Sequence, residues 1–152
     1  MNKQIDRIKK TRLFLIDLIK DLSVDELNKI PGGFNNNIVW NLGHLIAAQQ
    51  GVCYGRAMAQ AVVDEKYISS YKPGTKPEHY IDDKEVQIIK DLLLSSLNKF
   101  ETDYQNNVFE AYVSWTTRYG AELSNIDDAL QFLMYHEGLH SGYIMALKRL
   151  IK

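Results

Sequence analysis

Residues 136 to 140 read His-Glu-Gly-Leu-His, two imidazoles separated by four positions. On a helix that spacing puts both side chains on one face, a turn apart, so their nitrogen lone pairs can meet at a point where a divalent cation sits. The segment fits the H-E-x-x-H pattern of zinc proteases, in which the histidines hold the metal and the glutamate is the base. That class takes its third ligand from downstream, and the stretch after His140, SGYIMALKRLIK, contains no His, Asp, Glu or Cys. The pentapeptide therefore reads as a helical metal clamp without the rest of a protease site, and a further ligand has to come from upstream.

Two other histidines are available. His44 stands in WNLGHLIAAQQ, on a helical face shared with the small residues Ala48, Gly51 and Gly55, which admit a close helix or leave room for a ligand. His79 stands in a loop between Glu78 and Tyr80, where a solvated surface role is the usual one. The expected ligand set is His44, His136 and His140. Three neutral imidazoles with an open position form a catalytic rather than a structural divalent site, and zinc or nickel suits such ligands. The competing reading is a set of core histidines hydrogen-bonded to tyrosines or backbone. Glu137, about 100° around the helix from His136, either reaches the metal site as a base or faces solvent. A di-iron carboxylate site would need a second Glu-x-x-His, and none of the other seven glutamates has a histidine three residues on. Bis-histidine haem stays open, although three histidines are more than it needs.

Four segments carry a period near 3.6 and none sustains a period of two, which predicts an all-α domain. Helix one is expected over about Lys3 to Leu22, with Ile5, Ile8, Leu15, Ile19 and Leu22 on its seam. Arg12 falls on the same seam and is expected near an end or a cavity, because a buried unpaired guanidinium is costly. After Pro31-Gly32-Gly33, helix two is expected from about Asn37 to Val63. A long connection, Asp64 to Ile81, follows and holds YKPGTKPEHY, whose proline and glycine steps break regular structure; loops of that length are lids or binding loops when they are ordered. Helix three starts after Asp82, turns Val86, Ile89, Leu93, Leu97, Phe100 and Tyr104 inward, and ends near Asn106. VFEAYVSWTTRYGAELS reads as an irregular crossover. Cap residues and first-turn acids at Ser124 to Asp128 open the last helix, with Ala129, Leu133, His136, His140, Tyr143, Leu147 and Leu150 inward. The sum is a four-helix bundle forming a single domain over residues 1–152.

A net charge of -1, from 18 basic and 19 acidic residues, leaves no electrostatic footprint for nucleic acid or an anionic membrane. Asp17 interrupts the early apolar run, no stretch approaches the ~20 apolar residues of a membrane span, and the lone Cys53 permits no intrachain disulfide. A cytoplasmic protein acting on small molecules is the simplest expectation.

Trp40-x-x-x-His44 on helix two, with His136-x-x-x-His140-x-Gly142-Tyr143-Ile144 near the carboxyl end, resembles the DinB-like superfamily of metal-binding four-helix bundles, also called YfiT-like metal-dependent hydrolases. The resemblance spans nearly the whole chain, and the three histidines correspond one by one. It implies a divalent metal, often nickel or zinc, in the bundle core, frequent homodimers, and transfer or isomerisation chemistry with a low-molecular-weight thiol such as bacillithiol or mycothiol. Three functions compete: a thiol S-transferase, a metal-dependent hydrolase, and a bundle that holds metal or a small ligand without turnover.

Overall fold

The computed structural model describes residues 2–151. Its long helices are α1 (Lys3–Leu18), α3 (Ile38–Gln49), α5 (Asp83–Gln105) and α6 (Ile126–Ile151), and α3 runs on as a π-helical turn over Gln50–Gly55. Two short helices, α2 (Val24–Asn28) and α4 (Glu65–Tyr71), and a two-stranded hairpin, β1 (Trp115–Thr116) with β2 (Glu122–Leu123), lie between them. The fold is an all-α bundle, as the periodicity predicts. Among the described residues no helix is long and apolar enough to cross a membrane.

Caps set the helix starts. Asn2, Asn37 and Asp82 each turn a side-chain oxygen onto the free N–H groups of the first turn of α1, α3 and α5. Ser23 and Glu26 close a reciprocal capping box on α2, a short helix that the sequence analysis does not anticipate. α1 stops earlier than expected because Ile19 leaves the helical region, yet Ile19 and Leu22 stay buried. Helix two is also shorter than expected. It widens into the π-turn, passes through Met58 at a positive φ of 52°, and folds back where the Gln50 side chain accepts from the Val62 N–H at 2.9 Å.

The 64–81 connection contains α4. α4 packs on α3, and Asn28 grips the far end of the connection by bonding both the N–H and the carbonyl of Ile81. In the crossover, Phe109 packs between Tyr54 and Phe100, and the hairpin pairs Trp115 with Leu123 and Thr116 with Glu122.

Two apolar clusters fill the bundle, one around Ile19, Leu42, Leu93 and Leu147, the other around Ile8, Tyr54, Phe100 and Leu133. A hydrogen-bonded layer joins one buried polar residue from each long helix, Arg12, Gln49, Ser96 and Glu137. This corrects the expectation for Arg12, which is fully buried at mid-bundle and paired with Glu137 at 2.6 Å. The layer also turns Glu137 of α6 inward. The buried residues of α6 are Ala129, Leu130, Leu133, His136, Glu137, Ser141, Ile144, Leu147 and Ile151, so Ala129, Leu133, His136 and Leu147 lie inward as expected, whereas Tyr143 and Leu150 are exposed and His140 sits at the margin.

Candidate metal centre

His44 projects from α3 and His136 and His140 from successive turns of α6. One nitrogen of each lies within 4.8 Å of the others. His44 Nε2 and His136 Nε2 are 3.2 Å apart, close to the ~3.3 Å between two nitrogens bound at about 2.05 Å to one tetrahedral ion. The expected trio is therefore brought together. His79 is exposed and stands outside the trio, in a groove of about 420 Å³ lined also by Trp40, Tyr71, Thr75 and Lys76.

The outer nitrogens fix the tautomers. His44 Nδ1 lies 2.7 Å from the Tyr71 carbonyl oxygen, which can only accept, so Nδ1 carries the proton and Nε2 is bare. His140 Nδ1 lies 2.8 Å from Asn41 Oδ1. The Asn41 amide donates to the Asn37 carbonyl at 2.7 Å and to Asn36 Oδ1 at 3.1 Å, so its oxygen is the atom turned to the imidazole, and His140 Nε2 is bare as well. Such acceptors behind metal-binding histidines set ring orientation and raise ligand basicity. Trp40 stacks on His44, with centroids 4.8 Å apart and planes 11° from parallel.

Burial keeps all three rings neutral. It lowers the pKa of His44 against the opposing pull of the Tyr71 bond. It lowers His136 to about 3, helped by His140, His44 and Arg12, and His140 to about 4, helped by His44. Neutral imidazoles near pH 7 bind a cation without first losing a proton. His136 Nδ1 is buried with no hydrogen-bond partner. The donor set fits a divalent ion because His44 and His140 hold bare Nε2 atoms and His136 Nε2 stands 3.2 Å from that of His44, so three imidazole nitrogens converge on one point.

The sequence family is settled by a direct match: the model of the DinB superfamily aligns with residues 7–144. The chain belongs to the DinB superfamily. A search of curated proteins returns no match. Superfamily membership and the converging histidines agree on a site able to hold a metal ion.

Glu137 departs from both readings of the sequence. It neither reaches the metal site nor faces solvent; its side chain is 2% exposed and locked to Arg12. Burial pushes its carboxyl up and the guanidinium pulls it back. Gly51 and Gly55 are exposed and no helix covers them. Cys53 is buried, and burial raises its thiol pKa, so it offers no nucleophile.

Two orienting residues lie outside the histidine motif. Asn41 is a buried polar residue one turn before His44, a signal that the pattern does carry. Tyr71 acts through its backbone, which no side-chain pattern marks. Its ring lies flat over Gly43, where an added Cβ would stand 2.5 Å from two ring carbons. Gly43→Ala should therefore push Tyr71 away and draw its carbonyl off His44. The expected cost is roughly 1–3 kcal/mol of stability from overpacking, with about tenfold weaker divalent-ion binding through the lost orienting bond. Denaturant unfolding and competition with a chromophoric chelator measure the two effects; unchanged values for both would show that Tyr71 yields freely.

Proposed function

We propose that this DinB-superfamily protein is a metal-dependent enzyme that transfers a low-molecular-weight thiol to a small electrophile, with zinc or nickel held by His44, His136 and His140. A divalent cation there supplies a Lewis acid that lowers the pKa of a group entering the open position, from ~8.5 for a free thiol. The observation that carries the reading is the state of Glu137. The one carboxylate adjacent to the histidines in the motif is bound to Arg12 and unavailable as a base, so activation of the nucleophile would fall to the metal alone, and a thiol with a free pKa of ~8.5 asks less of it than water at ~15.7.

The chain's own residues do the rest. Tyr71 and Asn41 hold two imidazoles in the tautomer that turns Nε2 to the centre. Trp40 walls one side, and its indole N–H donates to Thr75 Oγ1 at 3.1 Å, tying the 64–81 connection to the site. Lys72 and Lys76 on that connection are exposed and would meet the carboxylate or sugar hydroxyls of a small thiol.

The test adds bacillithiol, glutathione or cysteine, with a chromogenic electrophile, to the protein loaded with zinc or nickel. The expected result is thiol consumption that requires the metal and is lost in His140→Ala. Hydrolysis of an activated ester without thiol, and no thiol-dependent rate, would make the protein a hydrolase instead. Retained metal with neither activity would leave a binding module.

A further inference from the structure

We propose that Arg12 is a positioning residue for the histidine cluster, which it aligns by binding the residues that follow two of the three histidines. Its guanidinium donates from Nη2 to the Leu45 carbonyl at 3.2 Å, one residue after His44. From Nε and Nη2 it donates to Glu137 Oε1, at 3.0 and 2.6 Å, one residue after His136. Nη1 donates to Gln49 Oε1 at 3.0 Å and to the Leu93 carbonyl at 2.9 Å. One planar group from α1 thus fixes α3, α5 and α6 at the depth of the histidines. The inference rests on the proposed metal site for its consequence, although the alignment itself is a property of the metal-free protein.

Stability alone does not account for this arrangement. Apolar side chains of similar volume often replace a buried ion pair without loss, and the flanking positions of the α1 seam, Ile8 and Leu15, are fully apolar. Arg12 also satisfies only half of the Glu137 carboxylate: Oε2 is buried without a partner, a cost that an apolar layer would avoid. What a guanidinium supplies and a methyl group does not is direction. Its donors lie in one plane at fixed angles, so α3 and α6 cannot slide or rotate past each other without breaking bonds, whereas apolar contacts tolerate such shifts. His44 and His136 are carried by those two helices, and their facing Nε2 atoms are 3.2 Å apart, a separation that a small rotation of either helix would open.

The test replaces the pair by apolar residues in the double variant Arg12→Met/Glu137→Leu, which leaves no charge stranded. Three measurements are made: unfolding of the metal-free protein, zinc affinity by chelator competition together with the visible spectrum of the cobalt(II) form, and imidazole ¹⁵N resonances of the metal-free protein. The expected result is an unfolding midpoint within a few degrees of wild type, zinc bound about 10–100-fold more weakly, an altered cobalt spectrum, and an imidazole signal of His140, whose tautomer depends on Asn41 across the α3–α6 contact, that changes from one fixed tautomer to an average. Should the double variant fail to fold, Arg12→Lys keeps the charge and removes the planar fork, and the same changes are expected. A folded variant with unchanged affinity, cobalt spectrum and tautomers would overturn the inference. If wild type binds no zinc but its tautomers still depend on Arg12, the metal reading fails and the positioning role stands.

Discussion

His44→Ala and His140→Ala should each bind zinc or nickel between about a hundredfold and several thousandfold more weakly than the wild-type chain, and His79→Ala should bind it unchanged. The magnitude follows from dividing an apparent binding free energy of ~10–16 kcal/mol among three ligands, which puts roughly 3–5 kcal/mol on each. Both histidines are already neutral and held in the ligating tautomer by Tyr71 and Asn41, so removing either discards a preorganised ligand. Their acceptors are left without a donor as well, which adds to the loss. His79 stands apart from the cluster, exposed on the connection, and has no part in it. Competition with a chromophoric chelator, and metal content after gel filtration, read the effect. Affinity that depends on His79 and not on His44 would move the site out of the bundle.

The second large effect is on stability. Arg12→Ala, alone, should destabilise the metal-free protein by roughly 3–5 kcal/mol, the cost of stranding one partner of a buried ion pair, or about 10–15 °C in unfolding midpoint for a chain of this size. The substitution takes both donors from Glu137 Oε1, whose Oε2 already has none. It also strips a donor from the Leu45 and Leu93 carbonyls and leaves a void where a fully buried side chain stood. Measurement in excess chelator keeps metal linkage out of the comparison. A loss below about 1 kcal/mol would mean that water reaches Glu137 and that the polar layer is not closed.

Local chemistry was enough to determine much of this protein. The 3.6 period of α1, α3, α5 and α6 follows from which residues avoid water, and the caps at Asn37 and Asp82 follow from the unsatisfied N–H groups of any helix start. The four-residue spacing of His136 and His140 places them on one face whatever that face meets. The His44-His136-His140 trio and the all-α bundle were legible for that reason, as was the irregularity of the two long connections, although not the short helices inside α1–α3 and α3–α5.

Other features depend on contacts between residues distant in the chain. How far the inward stripe of α6 extends past His136 to take in Glu137 depends on a rotation smaller than the ~100° between neighbouring residues, which periodicity cannot resolve, and both residues are buried. Arg12 chooses, 125 positions away in sequence, by needing a carboxylate at the depth where it is buried. Glu137 turns inward as its partner rather than toward the metal site or solvent, and Ile144 and Ile151 take the places expected for Tyr143 and Leu150. The tautomer of His44 depends in the same way on the Tyr71 carbonyl, 27 residues along the chain. Every residue carries that acceptor, so only the close approach of α4 over Gly43 determines that this one meets the histidine.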